Sequence, residues 1–232
     1  MQTTEIFESS VFFGVFISLA SYTFGIWLKK RTGWALANPL LVAIVLVVAM
    51  LSLLGISYES YAKGAGIISY LLTPATICLA VPLYQQVELL KKNLKAVLYG
   101  ICAGVLSSLV CILLLALLFH FDHASYVTFL PKSITTAIGL GVSEELGGYV
   151  SVSVVSIIIT GVLGNIFAEK FLKLIRISEP IAIGIAIGTS SHAVGTAKAM
   201  EMGAVEGAMS SLSIVVSGIL TVAGASIFAL FL

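Results

Sequence analysis

Residues 188–198 read Gly-Thr-Ser-Ser-His-Ala-Val-Gly-Thr-Ala-Lys, which combines small residues, hydroxyl groups, an imidazole and an ammonium group with one bulky apolar side chain. Small residues let another backbone or a ligand approach closely. Ionisable groups are costly in lipid, so they need protein or water around them. The stretch is therefore typical of a buried segment inside a larger apolar protein, and not of a lipid-facing helix.

The rest of the chain is apolar enough to surround that stretch inside a membrane. Hydrophobic residues make up 59% of the 232 residues and charged residues 10%, with a mean hydropathy of +1.12. In soluble domains, about 45–50% of the residues are apolar and about 25% are charged. We predict an all-α polytopic membrane protein that forms one integral membrane domain over residues 1–232. The segments that could cross about 30 Å of hydrocarbon as helices are 7–28, 38–56, 67–87, 95–119, 149–169 and 207–232.

Two further segments, 126–148 and 180–203, are rich in Gly, Ser and Thr and are predicted to be broken or re-entrant. Basic clusters between spans belong in the cytoplasm by the positive-inside rule. All three basic clusters of this chain lie in the cytoplasm if the N-terminus is periplasmic and if 126–148 dips into the membrane and returns. In the same arrangement, 180–203 dips in from the cytoplasmic side. The alternative, that both segments are short full spans, stays open. The clusters are Lys29-Lys30-Arg31, Lys91-Lys92-Lys95 and Lys170-Lys173-Arg176.

A weak internal repeat supports the two dips. Sliding the sequence on itself by 60 residues pairs eight identical residues and places Lys132 opposite His192. This predicts repeat units 126–169 and 186–229. Dips that enter from opposite faces would form an inverted repeat, as secondary transporters do around a central site.

Two prolines, Pro74 and Pro82, interrupt the predicted span 67–87. Proline removes a backbone hydrogen bond and kinks or breaks a helix. In lipid, the freed backbone groups need protein, water or a ligand. A kink that serves packing alone is the alternative. On this ground, Pro74 and Thr76 are candidate ligand-binding residues.

The two dips hold the other candidate binding residues. In residues 130–136, Leu-Pro-Lys-Ser-Ile-Thr-Thr, proline precedes a lysine and three hydroxyls, as at a helix start, where free N–H groups favour an anion. Lys132 would add a full charge, although a snorkelling anchor is the alternative. His192 could bind a carboxylate or titrate near neutral pH, or it could bond between helices. The predicted ligand-binding residues of the dips are Lys132, Ser133, Thr135, Thr136, Thr189, Ser190, Ser191, His192 and Thr196.

Other polar residues carry weaker indications. Asn165 is expected either to bond across to a dip or to hold helices together. The three cysteines lie in apolar runs without metal-ligand spacing, so they are predicted to be buried, with no metal or cofactor. The short basic clusters lack the continuous basic face that nucleic-acid binding needs. The candidates for proton or charge coupling are Glu144, His192, Lys198 and Glu201.

Five passages together resemble the LrgB/CidB membrane-protein family: 38–39 (Asn-Pro), 73–75 (Thr-Pro-Ala), 131–136 (Pro-Lys-Ser-Ile-Thr-Thr), 143–148 (Ser-Glu-Glu-Leu-Gly-Gly) and 188–196. The resemblance covers nearly the whole chain. It implies a bacterial inner-membrane protein that modulates autolysis by analogy with holins and antiholins, usually beside a smaller LrgA/CidA-type membrane protein. Relatives linked to pyruvate transport, and the similar domain of the plastidial glycolate/glycerate translocator, imply a small 2-oxo or 2-hydroxy carboxylate as cargo.

The leading hypothesis is a secondary carrier or facilitator of small monocarboxylates, such as pyruvate or glycolate, with an anion site near the midplane. The alternative is a holin/antiholin-like interaction protein that modulates murein hydrolase release and autolysis. That alternative gives no role to Lys132 and His192, although inserting a cation into the membrane costs about 2.5–3.5 kcal/mol. An intramembrane hydrolase that uses Ser190 or Ser191 with His192 is disfavoured, because neighbouring residues on a helix point about 100° apart and the sequence has neither a nucleophile elbow nor a His-Glu-x-x-His zinc motif. No enzyme is predicted. The oligomeric state stays open, with a homo-oligomer as one option.

Overall fold

A computed structural model describes residues 12–34, 37–78 and 80–232, with the side chains of Leu72 and Thr76 also outside the described part. These residues form α-helices and one 3₁₀ helix, and none of them forms a strand. The predicted all-α fold is therefore confirmed. The beginning of the predicted span 7–28 lies outside the described residues. The chain divides into two compact units, residues 1–77 and 78–232, and the single domain predicted over 1–232 stays a prediction.

The first unit contains α1 (Phe13–Thr32), α2 (Pro39–Leu54), α3 (Tyr58–Tyr70) and α4 (Leu72–Cys78). Helix α1 packs on α2 and α3, and the core residues are Phe13, Ile17, Val47 and Ile56. Helix α2 begins after Asn38, whose side chain accepts hydrogen bonds from the N–H groups of Leu40 and Leu41, at 2.9 and 3.2 Å. This is the usual role of asparagine at a helix N-cap.

Helices α1 and α2 end at glycines. Gly33 and Gly55 have φ angles of 65° and 66°, the left-handed conformation that glycine adopts without steric cost. Helix α2 has 16 residues, so the predicted span 38–56 is a short apolar helix. The predicted span 67–87 is divided: α3 ends at Tyr70, and α4 follows with Pro74 in its first turn. The predicted helix break near the prolines is confirmed.

The second unit begins with α5 (Ala80–Gln85) and is built around three long helices, α6 (Val87–Leu118), α9 (Val150–Leu174) and α11 (Ala204–Phe228), the last continued by the 3₁₀ helix Ala229–Phe231. Among the described residues, four helical stretches are long and apolar enough to cross a membrane: Tyr58–Gln85, which comprises α3, α4 and α5, and the stretches Val87–Leu118, Val150–Leu174 and Ala204–Phe231. Helix α6 begins eight residues before the predicted span 95–119, because Glu and Lys at 88–95 are good helix formers.

The first predicted dip is a hairpin, hereafter hairpin A, made of α7 (His123–Phe129), a non-helical tip, and α8 (Thr136–Glu145). The chain that follows α8 returns to α7: the Tyr149 N–H donates to Thr128 Oγ1 at 2.7 Å, and Ser153 Oγ donates to the Thr128 carbonyl at 2.8 Å. Hairpin A therefore enters and leaves at the same end of the unit. The prediction that 126–148 doubles back is confirmed, and a full span is excluded.

The second predicted dip is α10 (Pro180–Met202), hereafter hairpin B, which reverses at His192. His192 has φ 43° and ψ −141° inside an otherwise helical segment, so the helix axis breaks there. The arm before His192 runs parallel to α11, because the residue numbers of contacting residues increase together along the two helices. The arm after His192 runs antiparallel to α11, because there the residue numbers increase along one helix and decrease along the other. The contacts are Gly184 with Glu206, Gly188 with Ser210, Thr196 with Ser210, and Met200 with Gly207.

The two hairpins open at opposite ends of the second unit. Hairpin A opens where α6 and α11 end, because Tyr126 Oη donates to the Phe228 carbonyl at 3.0 Å. Hairpin B opens at the other end, where α9 ends and α11 begins. The basic clusters 91–95 and 170–176 share this second end, as the positive-inside argument requires. We call it the basic end. The repeat units 126–169 and 186–229 and the periplasmic N-terminus stay predictions.

Candidate functional site

The tips of the two hairpins and one face of α6 border a cavity of about 420 Å³, hereafter the hairpin-tip cavity. Its polar lining includes Lys132 and Ser133 from hairpin A and Thr189 and Ser190 from hairpin B. The two residues of hairpin A are at least 56 positions in the sequence from the two of hairpin B. All four were predicted from the sequence as ligand-binding residues. The fold thus brings part of the predicted set into one place.

Helix α6 closes one side of the hairpin-tip cavity with small residues that sequence reasoning missed. These residues recur at a helical spacing of four, three, one and three positions, which places them on one helix face. That spacing was the available signal, hidden in an apolar segment that otherwise reads as an ordinary span. The residues are Gly100, Gly104, Ser107, Ser108 and Cys111.

The predicted burial of the cysteines is wrong. Cys78, Cys102 and Cys111 are all exposed, and Cys111 borders the hairpin-tip cavity. In a soluble protein, an apolar run faces the core, but the outer face of a membrane helix meets lipid, so position in an apolar run does not imply burial.

Among the polar side chains of the cavity lining, the Lys132 ammonium group can only donate hydrogen bonds, whereas the serine and threonine hydroxyls can donate or accept. Lys132 Nζ donates to Ser133 Oγ at 2.9 Å, and Ser133 Oγ lies 3.4 Å from Ser108 Oγ. Thr189 is 6% exposed, and its Oγ1 is the one buried side-chain nitrogen or oxygen in the described part of the chain that has no hydrogen-bond partner. A buried hydroxyl without a partner is unfavourable by about 1–3 kcal/mol, so this group requires an explanation.

The remaining predicted residues of hairpin B do not line the cavity. His192 is 4% exposed, and its Nε2 lies 3.0 Å from the Ile157 carbonyl of α9. Thr196 Oγ1 donates to the His192 carbonyl at 2.9 Å and lies 2.6 Å from Ser210 Oγ. These contacts anchor the tip of hairpin B to its neighbours. Their role in ligand binding stays a prediction.

Small residues of α9 receive the tip of hairpin B. Gly161 lies against the imidazole of His192, and Gly164 lies against the hydroxymethyl group of Ser191, where no side chain would fit. Asn165 Nδ2 donates to the Val194 carbonyl at 2.8 Å. The expectation that Asn165 bonds across to a dip is confirmed.

The other predicted binding residues lie elsewhere. Thr135 and Thr136 stand at the start of α8 and are half-buried, and neither lines the cavity. Pro74 is exposed in α4 of the first unit. The side chain of Thr76 lies outside the described residues.

Two of the four candidates for charge coupling, Lys198 and Glu201, belong to an ion-pair cluster near the basic end. Lys198 Nζ lies 3.1 Å from Glu169 Oε2 and 3.3 Å from Glu201 Oε2, and Glu169 Oε1 accepts a hydrogen bond from Lys173 Nζ at 2.8 Å. This cluster joins the end of α9 to the second arm of hairpin B. Glu169 and Lys173 were not predicted as members. Glu144 is exposed in α8 and lies outside both the cluster and the cavity lining.

Comparisons with known proteins give one consistent result. The LrgB-like family matches residues 18–231. The chain is 42% identical over 214 residues to "Antiholin-like protein LrgB" of Bacillus subtilis (strain 168), which covers 92% of this chain and 93% of that protein. It is 40% identical over 212 residues to the protein of the same name in Bacillus mycoides (strain KBAB4), covering 91% and 92%. No solved structure matches the chain.

These relatives correct the leading functional hypothesis. A carrier of small monocarboxylates is contradicted, because proteins similar over more than nine tenths of the chain are named antiholin-like, and nothing in the comparisons concerns transport of monocarboxylates. Cationic side chains inside a membrane protein do not by themselves indicate a transport site, since such groups also occur where a helix break is held in place by packing. The alternative hypothesis is the one that the relatives favour. By the extent of the match, the chain belongs to the LrgB-like family of multi-pass membrane proteins.

Proposed function

We propose that this protein is an antiholin-like regulator that restrains the release of murein hydrolases and so modulates autolysis. The observation that carries the proposal is the 42% identity, over 92% of this chain and 93% of its relative, to an antiholin-like protein. The family match over residues 18–231 contains both hairpins and every helix from α2 to α11, so the similarity extends well beyond a single motif.

The second unit has the properties of a regulator with one defined conformation. Its hairpins are held by buried hydrogen bonds between distant residues, such as Ser153 Oγ to Ser143 Oγ at 2.7 Å, where both side chains are 0% exposed. Buried, fully satisfied polar contacts specify a unique arrangement of helices. A protein that made lesions from interchangeable apolar helices would not need them.

The outer faces of the long helices are suited to contacts within the bilayer. Large apolar side chains on α6, α9 and α11 are exposed, among them Leu106, Leu114, Ile159, Leu163 and Ile219. Such faces meet lipid tails or the helices of another membrane protein. We place the protein in the bacterial inner membrane with its basic end in the cytoplasm. We further propose that it works beside a smaller LrgA-type membrane protein.

The test is complementation of a Bacillus subtilis strain that lacks its antiholin-like LrgB relative. This chain is expressed with and without an LrgA-type protein. The rate of cell lysis after addition of non-ionic detergent is measured, and secreted murein hydrolases are detected by zymography. We expect slower lysis and weaker hydrolase bands than in the strain with an empty vector. Dependence of that effect on the smaller protein would support the partnership.

The control variant is Gly164→Val, which places a side chain where the hydroxymethyl group of Ser191 lies and so disrupts hairpin B. Its lysis rate should match that of the empty vector. The proposal fails if the wild-type chain is present in the membrane at normal levels, with either pairing, and lysis and hydrolase release are unchanged.

A further inference from the structure

We propose that a groove between α9 and the first arm of hairpin B binds one acyl chain of an anionic phospholipid, whose phosphate lies beside Arg176. The groove, hereafter the α9 groove, has a volume of about 400 Å³. This inference goes beyond the proposed function and does not depend on it. The lining includes Leu163, Phe167, Phe171 and Ile175 of α9 and Ala186 and Ser190 of hairpin B.

The α9 groove has the dimensions of one acyl chain. Its lining extends along α9 from Leu163 to Ile175, a length of about 18 Å at a rise of about 1.5 Å per residue. One leaflet of hydrocarbon is about 15 Å thick. The volume admits on the order of ten methylene groups, each about as large as a water molecule. A helix of the same length, about 10 Å across, needs roughly three times that volume, so a helix would lie over the groove and not in it.

The walls of the α9 groove are apolar and open to the outside of the protein. Leu163, Phe167 and Phe171 are 48%, 44% and 57% exposed, in a helix apolar enough to cross a membrane. The small residues Ala186 and Ser190 are exposed on the other side of the groove. Lipid tails are as apolar as such walls, so an acyl chain gains little free energy by moving from the bilayer into the groove. Selection among lipids must therefore come from the headgroup.

A strained cationic residue stands at the basic end of the groove. Arg176 lies between Ile175 and Ile177, which both line the groove, and its φ angle is 60°. The Arg176 N–H donates to the Lys173 carbonyl at 3.1 Å. The Ile177 N–H donates to the Leu172 carbonyl at 2.9 Å, which completes a Schellman turn. Glycine is the residue that this position favours, because a Cβ atom there is strained. An arginine at such a position indicates a function for its charged side chain.

The charges around this turn favour an anionic headgroup. The ion-pair cluster of Glu169, Lys173, Lys198 and Glu201 is neutral as a whole. The other charged residues of segment 169–179 are Lys170, Arg176 and Glu179, which together carry one net positive charge. In the described part of the chain, none of these three makes an ion pair. A guanidinium group binds a phosphate through two parallel hydrogen bonds, so Arg176 is suited to the lipid phosphate.

The test is native mass spectrometry of the full chain, purified in detergent and mixed with equal amounts of phosphatidylglycerol and phosphatidylcholine. Both lipids carry the same acyl chains, so they differ in the headgroup alone. Their masses identify the first lipid that binds. A second copy of this chain on the groove would be detected as a dimer.

We expect the first bound lipid to be mainly phosphatidylglycerol. Arg176→Gly should lower the ratio of bound phosphatidylglycerol to bound phosphatidylcholine about fivefold, the effect of one basic residue near the membrane surface. The same variant should raise the melting temperature, because glycine relieves the strain at this φ angle. Arg176→Lys keeps the charge and should retain most of the preference. Lys92→Gln, which removes an exposed cation of α6 at the same end, should leave the ratio unchanged.

The groove itself is tested by Ala186→Leu, which fills it from an exposed position and should lower the fraction of the chain that carries a lipid. The proposal is overturned if wild type does not prefer phosphatidylglycerol, if Arg176→Gly keeps the wild-type ratio, or if Ala186→Leu binds lipid as wild type does. A dimer that Ala186→Leu dissociates would assign the groove to a second copy of this chain and would equally refute the lipid site. These results do not involve cell lysis, so failure of the lipid site and failure of the antiholin-like function are distinguishable.

Discussion

The packing of the hairpin B tip against α6 predicts that Gly104→Ala is destabilising and that Thr189→Ser relieves the cost. A Cβ atom on Gly104 would lie 2.7 Å from Thr189 Cγ2 and 3.4 Å from Thr189 Cβ. Threonine is β-branched and has few alternative rotamers in a helix, so the methyl group cannot easily move away. Serine keeps the hydroxyl and removes that methyl group.

The expected magnitude follows from two opposing effects. Overpacking of this kind costs about 1–3 kcal/mol, and the change from glycine to alanine inside a helix returns about 0.5–1 kcal/mol. Gly104→Ala should therefore lower the free energy of unfolding by up to about 2.5 kcal/mol in the wild-type background. In the Thr189→Ser background the same change should be neutral or slightly stabilising. The coupling free energy between the two sites is then about 1–3 kcal/mol.

The assay is reversible unfolding in mixed detergent micelles, followed by far-UV circular dichroism, for both single variants and the double variant. Gly141→Ala is the matched control, because a Cβ on Gly141 has no neighbour within 4 Å. It should show no coupling to Thr189→Ser. An equal cost of Gly104→Ala in both backgrounds would show that hairpin B does not contact α6 at this residue, and the described tip geometry would be refuted.

Three further predictions concern the hairpins and the topology. Ser153→Ala leaves the Thr128 carbonyl and Ser143 Oγ without their buried donor, so the free energy of unfolding should fall by about 1–3 kcal/mol, against a smaller loss for Ser156→Ala, whose hydroxyl bonds only within its own helix. Hydrogen bonds from Ser125, first from its side chain and then from its N–H, lower the pKa of Asp122. The stabilisation that this helix cap provides is therefore present above the ordinary carboxylate pKa and is lost as the pH falls through the lowered pKa. In chemical denaturation, the free energy of unfolding of Asp122→Asn should fall less on acidification than that of the wild type. Lys173 is exposed at the basic end, so we expect Lys173→Cys to be labelled by an impermeant maleimide from the cytoplasmic side of oriented vesicles, in a background with Cys78→Ser, Cys102→Ser and Cys111→Ser. Labelling from the periplasmic side would contradict the assigned orientation.

Much of the architecture could be predicted because the bilayer restricts what a sequence can do. A long apolar segment must form a helix in lipid, where each backbone group needs an internal partner, so α6, α9 and α11 follow from hydropathy alone. Ionisable groups such as Lys132 and His192 identified the two segments that could not be such helices. The positive-inside argument then required hairpin A to double back, and the Tyr149–Thr128 hydrogen bond confirms it.

The membership of the candidate site could be predicted only in part. Lys132 and His192 fall at corresponding positions when the sequence is slid on itself, yet the two side chains have different surroundings: Lys132 borders the cavity, and His192 bonds to the Ile157 carbonyl. Which side of a hairpin tip a residue occupies depends on a single backbone reversal, which residue spacing cannot reveal. The contribution of α6 was missed because small residues in an apolar span have no chemical signature of their own.

The amino-acid sequence by itself determined that this protein lies in a membrane, that its backbone is helical there, and that two segments break that pattern. These properties follow from the free energy of transferring each side chain and each backbone group into hydrocarbon, which depends on residue type and local spacing. The packing of the helices, in contrast, brings residues beside the two breaks to one cavity, and within the described part of the chain it leaves Thr189 Oγ1 without a hydrogen-bond partner and Lys132 without an ion pair. Those properties depend on contacts between residues far apart in the chain, and such contacts exist only once the helices have packed.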